Sequence, residues 1–205
     1  MMTNEENLLR EGLATLNVPV DDDKVAKLLA FLALIEKWNK AYNLTAIRRR
    51  EEMVSLHLLD SIAILPHLEG TRIIDVGTGA GLPSIPLAIF RPDVQFQLLD
   101  SNAKKTRFVQ QAILELRLEN AMVTHCRVEE MMVTQRFDMV LTRAFASLPD
   151  IVALTTHLVR EGGSLLCMKG QVPEDELVAI DAHATLMSIN VPYLEAKRCL
   201  VKIHL

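Results

Sequence analysis

The chain has 205 residues, half of them apolar, with a formal net charge of −4 at pH 7 and a pI near 5.9. That content suits one domain with an extension and a full-sized core, and it excludes a disordered chain. The acidic balance excludes a domain that grips nucleic acid chiefly by net charge, so any such role rests on a local patch and on shape.

The opening MMTNEENLLREG is acidic and lacks the basic and apolar regions of a signal peptide. The first third reads as helices. In DDDKVAKLLAFLALIEKWNK, Val25, Leu28, Leu29, Leu32 and Ile35 recur at helical spacing, and the leading aspartates suit an N-cap and first turn. EEMVSLHLLDSIAILPHL predicts a further helix ending near Pro66. Between them, NKAYNLTAIRRR reads as a solvent-facing connection. No apolar run is long enough to cross a bilayer.

From Thr71 the rhythm changes. TRIIDV, VQFQLLD, AMVTHC, FDMVLTRA and GSLLCMK are short apolar runs separated by helix-forming stretches, among them SNAKKTRFVQQAILELRLE. This alternation predicts an α/β fold with a mostly parallel sheet buried on both faces. The closing YLEAKRCLVKIHL alternates better and, with no obvious crossover before it, reads as an antiparallel edge strand. The expected division is an N-terminal helical extension, residues 1–68, and a sheet domain, residues 69–205. Cys126, Cys167 and Cys199 are far apart without zinc-type spacing, which predicts reduced thiols and a cytoplasmic protein. The sequon-like stretch at Asn43 therefore carries no glycan.

The stretch IIDVGTGAGLPSIPLA ends one predicted strand and opens a helix near Leu82 or Pro83. A loop there lies at the carboxyl edge of the sheet, where open α/β sheets bind ligands. Gly77, Gly79 and Gly81 let a ligand lie against bare backbone. A P-loop is excluded because no lysine follows, and a dinucleotide fingerprint fails because its third glycine would fall on Leu82. A purely structural turn remains as an alternative. The D-x-G-x-G-x-G pattern of Asp75, Gly77, Gly79 and Gly81 resembles the first motif of Rossmann-like S-adenosylmethionine-dependent methyltransferases. Asp100, at the end of VQFQLLD, suits the hydroxyls of an adenosine ribose. It equally suits the cap of the next helix, as does Ser101.

Several stretches together resemble the RsmG (GidB) family: KWNKAYNLTAI, HLLDS, IIDVGTGAGLPSIPLAI, LLDSNAKKTRF, RVEE, TRAFASL and KGQ, in that order over most of the chain. The resemblance implies a seven-stranded, mostly parallel Rossmann-like methyltransferase sheet with an antiparallel last strand. It implies methyl transfer from S-adenosylmethionine to N7 of a guanosine in 16S ribosomal RNA of the small subunit. Cofactor positions carried over from it are Gly77, Leu82, Val128, Glu129 and Arg143; Arg143 is also the candidate catalytic residue. Asp75, Gly79, Gly81 and Asp100 join them from the wider methyltransferase pattern. The chain departs from the family at Ser84, commonly glycine, and at Leu56, often basic.

Methylating N7 removes no proton, so the reaction needs positioning rather than a general base. Candidate RNA contacts are Asn39, Asn43, Arg48, Arg49, Lys104, Lys105 and Arg107; the alternative for the two asparagines is capping of the helix end, and for the charges a solvated face. Trp38 and Tyr42 suit packing of the extension onto the sheet domain better than stacking on bases. His57 and Asp60 share a helical face and supply too few ligands for a metal, so no metal is expected. The expected partner is 16S rRNA within a small-subunit particle, with no membrane and a monomeric protein. The competing functions are a non-catalytic RNA-binding module and a nicotinamide-dependent oxidoreductase.

Overall fold

The computed structural model describes residues 2–172, 174–180 and 183–205. The N-terminal third holds helices α1 (Asn4–Thr15) and α2 (Asp22–Tyr42). The Asp21 side chain caps α2 by accepting from the Lys24 N–H at 3.0 Å, and Asn43 ends it in the left-handed region at φ 49°. Helix α3 (Arg50–Met53) continues through a π-helical segment, Val54–Leu59, into α4 (Asp60–Ile62). A short 3₁₀ turn holding Pro66 follows.

Strands β1 (Arg72–Val76), β2 (Gln95–Asp100), β3 (Ala121–His125), β4 (Phe137–Arg143) and β5 (Val159–Lys169) pair in parallel. Helices α5 (Ser84–Phe90), α6 (Ala103–Glu115) and α7 (Leu148–Thr155) fall between them. A short helix α8 (Glu174–Val178) precedes β6 (Ala184–Ile189) and β7 (Arg198–His204). The sheet order is β3-β2-β1-β4-β5-β7-β6, and β7 runs antiparallel to both neighbours.

The expectation that the closing strand lies at the edge is corrected. β7 is interior, and β6 forms that edge. Residues 184–189, ATLMSI, were not among the predicted strands: Ala, Leu and Met favour helices locally, and only pairing with β7 makes the segment extended.

Alternation along each strand feeds two cores. Ile73, Leu98, Met139, Leu141, Leu166 and Leu200 face one side; Ile74, Leu99, Val140, Leu165 and Val201 face the other. The first core also contains Leu9 and Leu13 of α1, Leu28, Phe31 and Leu32 of α2, and Phe108 of α6. Thus the change of element type after residue 68 is not a break in packing. Phe31 stacks on Phe108 at 6.3 Å between ring centroids, and Trp38 meets the same ring edge-on at 5.8 Å. Trp38 therefore fastens α2 to α6.

Candidate functional site

β1 ends at Val76, and the chain turns through Gly77, Gly79 and Gly81, all at positive φ (72°, 60° and 77°). A Cβ on Gly77 would lie 2.6 Å from Cδ2 of Phe145, whereas one on Gly79 would meet nothing closer than the Gly77 carbonyl at 3.9 Å. Two glycines are thus needed for different reasons: one for close approach, the other for backbone shape beside open space. Helix α5 begins later than expected, at Ser84. The N–H groups of Gly81 and Leu82 both donate to the Thr78 carbonyl, at 3.0 and 3.1 Å, so they are not free for a ligand. Leu82 is buried in the core behind the loop.

Asp75 is fully buried. Its Oδ2 accepts from the Thr78 hydroxyl at 2.8 Å, while Oδ1 has no partner. Burial pushes its carboxyl up to about 7, against the opposing hydrogen bond from Thr78. Asp100, at the end of β2, is held by two backbone amides: Gly79 N–H donates to Oδ2 at 2.9 Å and Asn102 N–H to Oδ1 at 2.8 Å. The helix cap is neither Asp100 nor Ser101. Asn102 caps α6, accepting from Lys104 and Lys105 amides. Each Asp100 oxygen keeps a lone pair for a further donor.

A cavity of about 320 Å³ opens above this edge, lined by Gly77, Asp100, Val128, Glu129, Phe145 and Lys105 among others. Val128 and Glu129 reach it from the 3₁₀ turn after β3. The donor set fits an adenosyl cofactor: a fixed carboxylate for ribose hydroxyls, apolar walls from Leu99, Val128 and Phe145 for a purine, and bare backbone at Gly77. Lys105, expected on the RNA face, lines this cavity and approaches Asp100 to 3.9 Å. Ala144, Phe145 and Leu154, which also line it, were not singled out from sequence. An ordinary alanine, phenylalanine and leucine carry no signal by residue type.

Arg143 closes β4, but its side chain lines a neighbouring cavity of about 370 Å³ rather than the first. Its Nη1 donates to the Leu56 carbonyl at 3.2 Å and to Asp60 Oδ2 at 3.1 Å. Asp60 Oδ1 in turn accepts from Arg198 Nε at 3.0 Å. His57 and Asp60, neighbours on one helical face, therefore bond to other partners. His57 Nε2 lies 2.9 Å from the Thr45 hydroxyl. Burial, with the Arg143 guanidinium nearby, holds the His57 imidazole down to about 4.

The expected RNA face divides. Asn39 is buried and clamps the backbone of Thr45, donating to its carbonyl at 3.0 Å and accepting from its N–H at 3.1 Å. Its amide is turned inward, bonded to the backbone of the loop after α2. Asn39→Ala is expected to lower stability by about 1–2 kcal/mol, because both Thr45 groups lose their partner. Urea unfolding checks this; an unchanged midpoint would return Asn39 to the surface role. Arg49 pairs with Glu52 at 3.4 Å, and its neighbour Arg50 is neutralised by Glu5 and Glu36, each at 2.9 Å. Asn43, Arg48, Lys104 and Arg107 are exposed, and among the described residues the three cations have no ion-pair partner. The described residues contain no metal-type cluster of His, Cys, Asp and Glu, and no helix among them is long and apolar enough to cross a membrane.

Solved structures share the architecture. The O-methyltransferase TomG from Streptomyces achromogenes, in complex with S-adenosylmethionine, matches with a TM-score of 0.59 and 17% identity, over 99% of both chains. A putative O-methyltransferase from Klebsiella pneumoniae matches with a TM-score of 0.61 and 13% identity, over 96% of both. At these identities the likeness shows the Rossmann-like methyltransferase fold. Among sequences, Ribosomal RNA small subunit methyltransferase G of Nitrosococcus oceani is 53% identical over 97% of this chain and 94% of its own length. The protein of the same name from Chromobacterium violaceum is 47% identical over the whole of both. Residues 24–201, which include the later part of the extension, the glycine loop, Asp100 and both cavities, match the GidB family described as rRNA small subunit methyltransferase G, and the chain belongs to that family.

Proposed function

We propose that this protein transfers the methyl group of S-adenosylmethionine to N7 of a guanosine in 16S ribosomal RNA, acting as a cytoplasmic monomer on a small-subunit particle. The observation that carries the reading is the pair of cavities along one sheet edge, meeting at Ala144: one built around Asp100, the other around Arg143. S-adenosylmethionine supplies a methyl already activated on a sulfonium. The protein's residues position and enclose. Asp100 holds ribose hydroxyls, Val128 and Phe145 flank the purine, and Glu129 lies at the adenine end. Gly77 and Gly79 keep the bed clear. Among the described residues lining the second cavity there is no histidine, and its carboxylate, Asp60, is occupied by two arginines. No general base is needed at a lone pair without a proton, so alignment carries the catalysis.

Ala144, at φ 51°, turns the chain sharply between the cavities. A left-handed non-glycine residue at this point is the strain expected where a fold holds a site open. The exposed charges Arg48, Lys104 and Arg107, with Asn43, form the proposed RNA face. With a net charge of −4 the protein binds generic RNA weakly and depends on a folded particle for shape.

Labelled methyl transfer to small-subunit particles, followed by mapping of the modified base, tests the function; no transfer to particles or to deproteinised 16S RNA would end it. Thermal titration with S-adenosylmethionine and NAD separates it from an oxidoreductase, since only the bound ligand raises stability. Arg143→Ala is expected to lower kcat/KM at least tenfold, about 1.4 kcal/mol of transition-state stabilisation. Unchanged turnover and cofactor affinity would reduce Arg143 to an ion-pair partner.

A further inference from the structure

The cavity beside the cofactor site is built by elements far apart in sequence. Arg143 comes from the end of β4, Met168 and Lys169 from the end of β5, and Arg198 from the start of β7. Because β7 runs antiparallel to β5, its first residues lie at the carboxyl edge of the parallel strands, with Cys199 opposite Lys169. Leu56, Asp60 and Ile64 of the N-terminal third close the other side.

The walls are mainly apolar: Leu56, Ile64, Ala144, Met168, Ile189 and Leu200. The polar groups are concentrated. Asp60, nearly buried, accepts from Arg143 on one oxygen and from Arg198 on the other, which holds two guanidinium groups side by side. Those bonds use Nη1 of Arg143 and Nε of Arg198; Arg198 Nη1 donates to the Lys197 carbonyl. Among the described residues, Nη2 of both arginines and Nε of Arg143 donate to nothing and are not sealed from solvent. Lys169 is turned away, donating to the Ala146 carbonyl and Glu176 at 2.9 Å each. An apolar slot with fixed N–H donors on one wall suits a flat heterocycle that presents a carbonyl oxygen.

We propose that this cavity seats the target base and that Arg198, positioned by Asp60, donates to guanine O6, so that it selects guanine over adenine. This rests on the methyltransferase reading above. Adenine places an amino group where guanine places O6, and two donors then face each other. A donor that the seated base covers and leaves without an acceptor gives strong discrimination.

The test uses the full-length protein and reconstituted particles carrying either guanine or 2-aminopurine at the methylated position; 2-aminopurine keeps N7 and lacks O6. Wild type on guanine is the control for the function itself: if it transfers nothing, both readings fall. Given transfer, Arg198→Ala is expected to lower kcat/KM at least tenfold, with the S-adenosylhomocysteine Kd unchanged. Arg198→Lys is expected to recover only part of it. The 2-aminopurine substrate is expected to cost wild type a similar factor and to cost Arg198→Ala almost nothing more, the non-additivity of two partners in one contact. Full, independent losses from base and variant, or an unchanged kcat/KM for Arg198→Ala, would overturn this assignment and leave the methyltransferase reading standing.

Discussion

Gly77→Ala is expected to weaken S-adenosylmethionine binding at least tenfold and to lower the stability of the free protein by about 2 kcal/mol. Two causes add. The residue sits at φ 72°, where a side chain is strained, and its Cβ would lie 2.6 Å from the Phe145 ring. That ring lines the cavity proposed for the cofactor, so relief requires a shift of the ring or of the loop. Gly79→Ala is the control: it carries the backbone strain at φ 60° but points into open space. It should therefore destabilise less than Gly77→Ala. Calorimetric titration and urea unfolding read both quantities, and wild-type affinity in Gly77→Ala would show that the bare backbone there is incidental.

A second large effect is hidden in the wild type because two buried groups oppose each other. The His57 imidazole, held down to about 4 in the fold, is neutral where the unfolded chain is protonated. Between 6.5 and 4 the unfolded chain binds more protons, so this contribution is full above pH 6.5 and is lost as pH falls. From pH 7 to pH 5 the loss is about 2 kcal/mol. Asp75, pushed up to about 7 by burial, works in the other direction. There the folded chain binds more protons, so stability is gained as pH falls from 7 toward 4, again by about 2 kcal/mol between pH 7 and pH 5. Removing one titration unmasks the other. His57→Gln should become more stable on going from pH 7 to pH 5 relative to wild type, and Asp75→Asn less stable. Urea unfolding at the two pH values measures this. Identical pH profiles in all three proteins would show that neither group is perturbed as its burial requires.

Much of the architecture was legible because local periodicity reports burial. Strands that are apolar on both faces predicted a covered parallel sheet, and the helical spacing from Val25 to Ile35 predicted α2. The exceptions have local causes. β6 lacks a strand composition and is extended only because β7 offers it a partner. Helix α5 starts at Ser84, just past the expected position, and the Gly81 and Leu82 amides before it are taken by the Thr78 carbonyl. Asn39 reads as a polar surface residue, yet the loop folds back and buries it.

The amino-acid sequence by itself determined the strand–glycine-loop–helix unit and the acid at the end of β2. Each is written in adjacent residues whose backbone preferences act locally. Tertiary structure alone decided that Lys105 turns toward the cavity around Asp100 and that Asp60 joins Arg143 and Arg198, 83 and 138 residues away. A carboxylate carries no address for its partner. The order of the strands brings those arginines to one edge, and the cost of leaving three charges half-buried and unpaired then selects the arrangement.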